Sequence, residues 1–162
     1  MESQKTLNLA ADRANGEYLV RIDADDLVDP AFLEMEVWFL CENPEYIACC
    51  CDLKKFGLRE GIIKRPIVFD INTIHDIRSA HGYGYGCSFM WRAEAMKKCR
   101  FDPQFPVCED FDFTLQLLKL GKIKGLPALY SYRQHINSTI KGYTNKQKFE
   151  LLTRIMEKHG LL

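Results

Sequence analysis

The sequence predicts an α/β domain in which a mixed sheet is flanked by helices. Two observations lead there. Segments of helical period alternate with short β-rich runs along 162 residues. One of those runs, Gly16-Glu17-Tyr18-Leu19-Val20-Arg21-Ile22, ends abruptly in Asp23-Ala24-Asp25-Asp26. Acids at a strand's C-terminal end lie where ligands sit in open α/β sheets.

In chain order, residues 3–15 read as a helix, with Leu7, Ala10, Ala11 and Ala14 at helical spacing and Asn15-Gly16 as the stop. Residues 17–22 form a strand that Asp23 should end, because Asp is a poor strand residue. Asp29 is placed to cap a helix opened by Pro30 and running to about Cys41. Phe32, Leu33, Met35, Val37, Trp38, Phe39 and Leu40 make that helix apolar over most of its circumference, which predicts substantial burial. Asn43-Pro44 ends it.

Residues 46–53 read as a buried strand, and residues 54–66, with Gly57 and Gly61, as a hairpin or loop. Residues 67–78 are ambiguous and include room for a short helix. The Gly/Tyr alternation His81-Gly82-Tyr83-Gly84-Tyr85-Gly86 leads into a strand at 87–92 and a short helix at 92–99. A turn-rich stretch at 101–105 precedes a helix from Cys108 to about Leu120, stopped by Gly121. Residues 123–133 suit a strand interrupted by Pro127, and 144–159 an amphipathic helix. Residues 1–162 make one domain, with 142–162 as its C-terminal helix.

Composition narrows the function. Lys and Arg number 22 against 22 Asp and Glu, which gives no support for a broad nucleic-acid surface. No apolar run approaches the roughly 20 residues that span a bilayer. Met1-Glu2-Ser3-Gln4-Lys5 lacks the apolar core of a signal peptide. These features point to a cytoplasmic protein, with a peripheral place at a membrane left open. The seven cysteines include Cys49-Cys50-Cys51 but no C-x-x-C pair, so they read as reduced, mostly buried thiols.

The acids support two readings. Asp23, Asp25 and Asp26 repel one another unless a divalent cation, a donor network or water neutralises them. A solvated Asp-rich turn before the next helix is the other reading. The acids at Glu109-Asp110-Phe111-Asp112 equally suit the first turn of a helix.

Three separated blocks resemble one family in order. The first runs from Asn8 through Gly16-Glu17-Tyr18 and Asp23-Ala24-Asp25-Asp26 to Asp29-Pro30. The second is built around Glu109-Asp110-Phe111-Asp112, and the third is Leu129-Tyr130-Ser131-Tyr132-Arg133-Gln134-His135-Ile136-Asn137-Ser138. Together they resemble the family 2 glycosyltransferases of the GT-A fold, a Rossmann-like architecture. The resemblance implies an inverting transfer from a nucleotide-diphosphate sugar to an acceptor hydroxyl of a glycan or polysaccharide. It implies Asp23, Asp25 and His135 as ligands of Mn²⁺ or Mg²⁺, and Asp23, Asp25, Arg133 and His135 as nucleotide-sugar contacts. It implies Asp110 as catalytic base, with Glu109 beside it. Trp91 and the 82–86 segment fall near the family's acceptor cleft, although a turn-plus-core role suits them equally. His75, His81 and His159 read as ordinary surface residues.

Two departures stand out. Gln116 holds a position where the family often has Arg. The family's first two βα units, which carry nucleotide contacts, are expected ahead of residue 3, so this chain reads as a partial GT-A domain. That expectation leaves strand edges for a second copy or a partner chain to cover. A non-catalytic interaction module, or a metal-dependent nucleotidyl or phosphoryl transferase, would use parts of the same pattern.

Overall fold

The structure, a computed structural model, describes residues 2–74, 84, 86–136 and 142–162. Helices α1 (Glu2–Arg13), α2 (Phe32–Glu42), α3 (Glu109–Leu118) and α4 (Asn145–His159) flank a sheet of β1 (Tyr18–Val20), β2 (Leu27–Val28), β3 (Tyr46–Gly57), β4 (Gly61–Ile63), β5 (Val68–Phe69), β6 (Phe89–Arg92) and β7 (Lys122–Gln134). The strand order is β1-β6-β3-β7-β2, with β4 paired to β3 and β5 to β7. β3 and β7 run parallel at the centre, and every other pairing is antiparallel. The expected hairpin at 54–66 is the β3–β4 turn. Residues 67–74 supply β5 and a 3-10 turn (Ile71–Thr73). The strand expected at 87–92 starts at Phe89, after a 3-10 turn (Gly86–Ser88), and the short helix after it is a 3-10 helix (Ala93–Lys97).

Period-two alternation divides β3 between two layers. Ala48 and Cys50 face the larger core, with Phe111, Leu115 and Leu117 of α3 and Ile155 and Met156 of α4. Cys49 faces Phe39, Leu40 and Met90, while Cys51 and Leu53 meet Phe32 and Tyr130, so α2 covers this second face. The seven cysteines are free thiols: Cys49, Cys50, Cys51, Cys87 and Cys99 are buried, Cys108 is half-buried and Cys41 exposed. Burial pushes Cys99 up to about 11 and Cys51 to about 12, so both stay neutral.

Three expectations need correction. α2 is not buried over most of its circumference. Phe32 and Leu40 are fully buried, but Leu33 is 48% and Trp38 60% exposed. The helix lies on the sheet through one stripe only, and no described element covers its outer side. Its start also differs: Asp29 caps the preceding turn, its Oδ1 accepting from the Ala31 N–H at 2.9 Å, and the helix begins at Phe32. Finally, Pro127 does not interrupt β7. The register with β3 jumps from Cys51↔Leu126 to Leu53↔Tyr130, and this bulge takes in the proline that cannot donate to the ladder.

His159 is also not an ordinary surface residue. Its side chain is 2% exposed and Nε2 lies 2.8 Å from Oδ1 of the fully buried Asp112. Lys158 Nζ reaches the same carboxylate at 2.8 Å, and Gln116 Nε2 donates to it at 2.7 Å. Gln116 also holds the Arg100 backbone, its Oε1 accepting from the Arg100 N–H at 2.9 Å and its Nε2 donating to the Arg100 carbonyl at 2.9 Å. Burial alone would raise the Asp112 carboxyl, but the bonds from His159 and Lys158 outweigh it and hold the group below its ordinary range. Its stabilising contribution is therefore complete above the ordinary carboxylate range and is lost as pH falls through the depressed value. Asp112→Asn should cost about 2 kcal/mol, the scale of a hydrogen bond to a charged group, and flatten the acid limb of a urea-denaturation series.

No helix among the described residues is long and apolar enough to cross a membrane.

Candidate active site

The segment joining β1 to β2 carries the first acidic block. Because β1 and β2 lie on opposite edges, residues 21–26 cross from one side of the sheet to the other. A tight turn forms where the Asp26 N–H donates to the Asp23 carbonyl at 3.1 Å. The buried Tyr130 hydroxyl accepts from the Asp23 N–H at 3.0 Å, pinning the turn to β7. The Arg133 N–H donates to Asp26 Oδ1 at 2.7 Å, and Arg133 Nε to the Asp25 carbonyl at 2.6 Å. The Arg133 guanidinium also stacks 4.5 Å over the Phe56 ring. Burial raises the Asp26 carboxyl above its ordinary value, against the bond from the Arg133 backbone.

The acids of this block separate. Asp25 turns outward, with Oδ2 3.0 Å from His135 Nε2, and both side chains are nearly half exposed. Asp23 turns inward, where its Oδ1 accepts from Arg21 Nε at 3.1 Å. Arg21 Nη1 donates to Glu109 Oε1 at 3.2 Å, joining the first block to the second. Burial alone would lower the Arg21 guanidinium, but Asp23, Glu109 and Asp110 outweigh it and raise it further above its ordinary value. Burial and the neighbouring Asp110 charge raise the Glu109 carboxyl, and Arg21 opposes them.

Glu109 and Asp110 open α3 just after Cys108, whose φ of 64° is left-handed, an uncommon conformation for any residue but glycine. Asp110 Oδ2 accepts from the Gly86 N–H at 3.2 Å. A Cβ at Gly86 would stand 3.2 Å from the Asp110 Cβ, and one at Gly84 would stand 3.3 Å from Oδ1. Glycine at these two positions lets the backbone approach the carboxylate closely.

The structure therefore brings all three sequence blocks to one end of the sheet. It does not gather Asp23, Asp25 and His135 around one point. Asp25 faces His135, whereas Asp23 lies with Asp26 and the buried Cys87, their donor atoms within 4.8 Å of one another. Trp91 is a core residue, 4% exposed and packed against Phe101 and Phe113. His75, His81, Gly82, Tyr83, Tyr85, Asn137 and Ser138 lie outside the described residues. Arg21 and Tyr130 were not singled out in the sequence, although an Arg within an otherwise apolar strand, two residues before an acid cluster, is a signal.

The sheet is parallel at its centre, and acids and a basic-aromatic strand converge at one end of it. The chain belongs to glycosyl transferase family 2, whose family model matches residues 3–100. It is 28% identical over 177 aligned positions to an uncharacterized glycosyltransferase of Haemophilus influenzae, covering 96% of this chain and 54% of that one. It is similar to the crystal structure of S. aureus TarS 1-349 in complex with UDP-GlcNAc, with 18% identity, a TM-score of 0.74, and coverage of 96% of this chain and 46% of that chain. The TarS 1-349 complex with UDP gives 17% identity, a TM-score of 0.65, and coverage of 96% and 51%. These structures establish the GT-A fold. The chain spans about half the length of the curated relative it matches.

Proposed function

We propose that the protein transfers a sugar from a nucleotide-diphosphate donor to an acceptor hydroxyl, with inversion at the anomeric carbon, in glycan or cell-surface polysaccharide assembly. The observation that carries this reading is the pair of links between distant blocks: Arg21 from Asp23 to Glu109, and His135 to Asp25. Family membership and the UDP and UDP-GlcNAc held by the TarS structures support the donor class.

Asp25 and His135 present a carboxylate oxygen and an imidazole nitrogen 3.0 Å apart at the surface, a donor pair that suits Mn²⁺ or Mg²⁺. Asp23, on the same turn, faces Arg21 instead, so Asp25 and His135 would be the protein's share of ligands, with phosphate and water oxygens supplying the rest. A bound cation would neutralise charge building on the leaving diphosphate. Arg133 adds positive charge beside Asp25 for the same diphosphate.

Asp110 is the base. The acceptor oxygen forms a bond to the anomeric carbon as the bond from that carbon to the diphosphate oxygen breaks, and the hydroxyl proton passes to the Asp110 carboxylate. Glu109, beside it on α3, orients the acceptor. The Gly86 N–H fixes one Asp110 oxygen, so the side chain does not search for its position as the proton moves. A second copy or a partner chain adds its strand at the outer edge of β1.

Calorimetry tests the donor side. UDP- or GDP-sugars should release heat on binding only with Mn²⁺ present, and Asp25→Ala should weaken binding by about tenfold or more, the scale of losing a metal-site interaction. Absence of heat with every donor would overturn the donor reading. Unchanged heat in Asp25→Ala would overturn the metal assignment.

A further inference from the structure

Arg21 occupies the centre of the site. Its backbone is fixed to β6, the N–H donating to the Phe89 carbonyl at 3.3 Å. Its side chain is only 20% exposed. Nε reaches Asp23 Oδ1 at 3.1 Å and Nη1 reaches Glu109 Oε1 at 3.2 Å. The glycine at 86 leaves room for this cation, since a Cβ there would stand 3.5 Å from Nη1. Three carboxylates face it: Asp23 from the acid turn, and Glu109 and Asp110 from α3.

The two bonds leave from different nitrogens of a planar fork, which a lysine ammonium, a single point charge, cannot match. An exposed Arg would gain little from such pairs, but one held this far from water makes charge-assisted bonds that restrict both partners. We infer that Arg21 is a positioning residue, tying the turn that carries the donor-side acids to the first turn of α3 and so setting their spacing from the Glu109–Asp110 pair. What the two sides do rests on the function proposed above; the tie itself does not.

Two measurements separate those layers. The first needs neither metal nor donor: the rate of rotation about the Arg21 Nε–Cζ bond, read by side-chain ¹⁵N NMR. With both arms held, rotation should be slow, and Asp23→Asn or Glu109→Gln should each speed it by about tenfold or more, as expected for loss of a charge-assisted hydrogen bond. The second compares Arg21→Met and Arg21→Lys in a transfer assay, with thermal melts to confirm folding. Both should lower kcat by about tenfold or more while the donor KM stays within about twofold, because a misplaced base costs rate rather than binding. Free rotation in the unmodified protein, or rotation unaffected by Glu109→Gln, would overturn the tie. Slow rotation with unchanged kcat in both Arg21 variants would overturn the positioning role. Absence of transfer in the unmodified protein would count against the proposed function, and the rotation rates would still decide the tie.

Discussion

Asp110→Asn should lower turnover by about 10²–10⁴-fold, the range of a lost general base, and leave donor affinity unchanged. The substitution keeps size and shape, and the Asn oxygen can still accept from the Gly86 N–H, at the expense of the bond that the other Asp110 oxygen takes from the Phe111 N–H. What disappears is the group that takes the acceptor proton. The proposed cation and diphosphate contacts, Asp25 with His135 and Arg133, come from the acid turn and the end of β7 and not from α3, so the substitution should leave them in place. Single-turnover transfer rates, set beside calorimetric donor binding on the same preparation, check both halves. Unchanged turnover would assign the base elsewhere, and lost donor binding would place Asp110 on the donor side.

The second large effect concerns stability. Glu36 lies on the buried stripe of α2, fully enclosed, and neither carboxyl oxygen has a hydrogen-bond partner among the described residues. Burial pushes its pKa from 4.5 up to about 9. In the folded chain it is therefore protonated at neutral pH, whereas the unfolded chain ionises it. The contribution of Glu36 to stability is greatest below the ordinary carboxylate value and declines as pH rises through the window between about 4.5 and about 9. At pH 7 the cost amounts to about 3 kcal/mol at 1.36 kcal/mol per unit. Glu36→Met should recover about that much and remove the decline. Urea denaturation at pH 5 and pH 8 provides the check: the gap between the two midpoints should narrow in the variant. An unchanged gap would show that another group causes the decline.

The long amphipathic helices were legible because their period and their stops are local. α1 and α3 lie within a few residues of the ranges stopped by Asn15-Gly16 and Gly121, and α4 within a residue of the expected 144–159. The short strands β2 and β5 were not, since two residues become a strand only through a partner's register. The exposed side of α2 was illegible for a related reason: apolar residues all round a helix say that it could be covered, not that anything covers it. His159 was misread because its partner Asp112 is distant in sequence and had been counted with the helix-opening acids. At the site, the acids were visible as clusters, and the resemblance linked them to the Arg133–His135 segment. Their division was not visible, with Asp25 toward His135 and Asp23 toward Arg21, because it depends on how residues 21–26 cross the sheet. Arg21 reads in one dimension as an outward-facing polar residue of a strand.

The pairing of β3 with β7 also bears on how the chain is made. The two strands at the middle of the sheet are widely separated in sequence, and β3 leaves the ribosome well before its parallel neighbour exists. Until β7 is synthesised, the nascent Cys49-Cys50-Cys51 run lacks one of its two flanking strands, so closure of the centre falls late in biosynthesis, as non-local parallel pairing dictates.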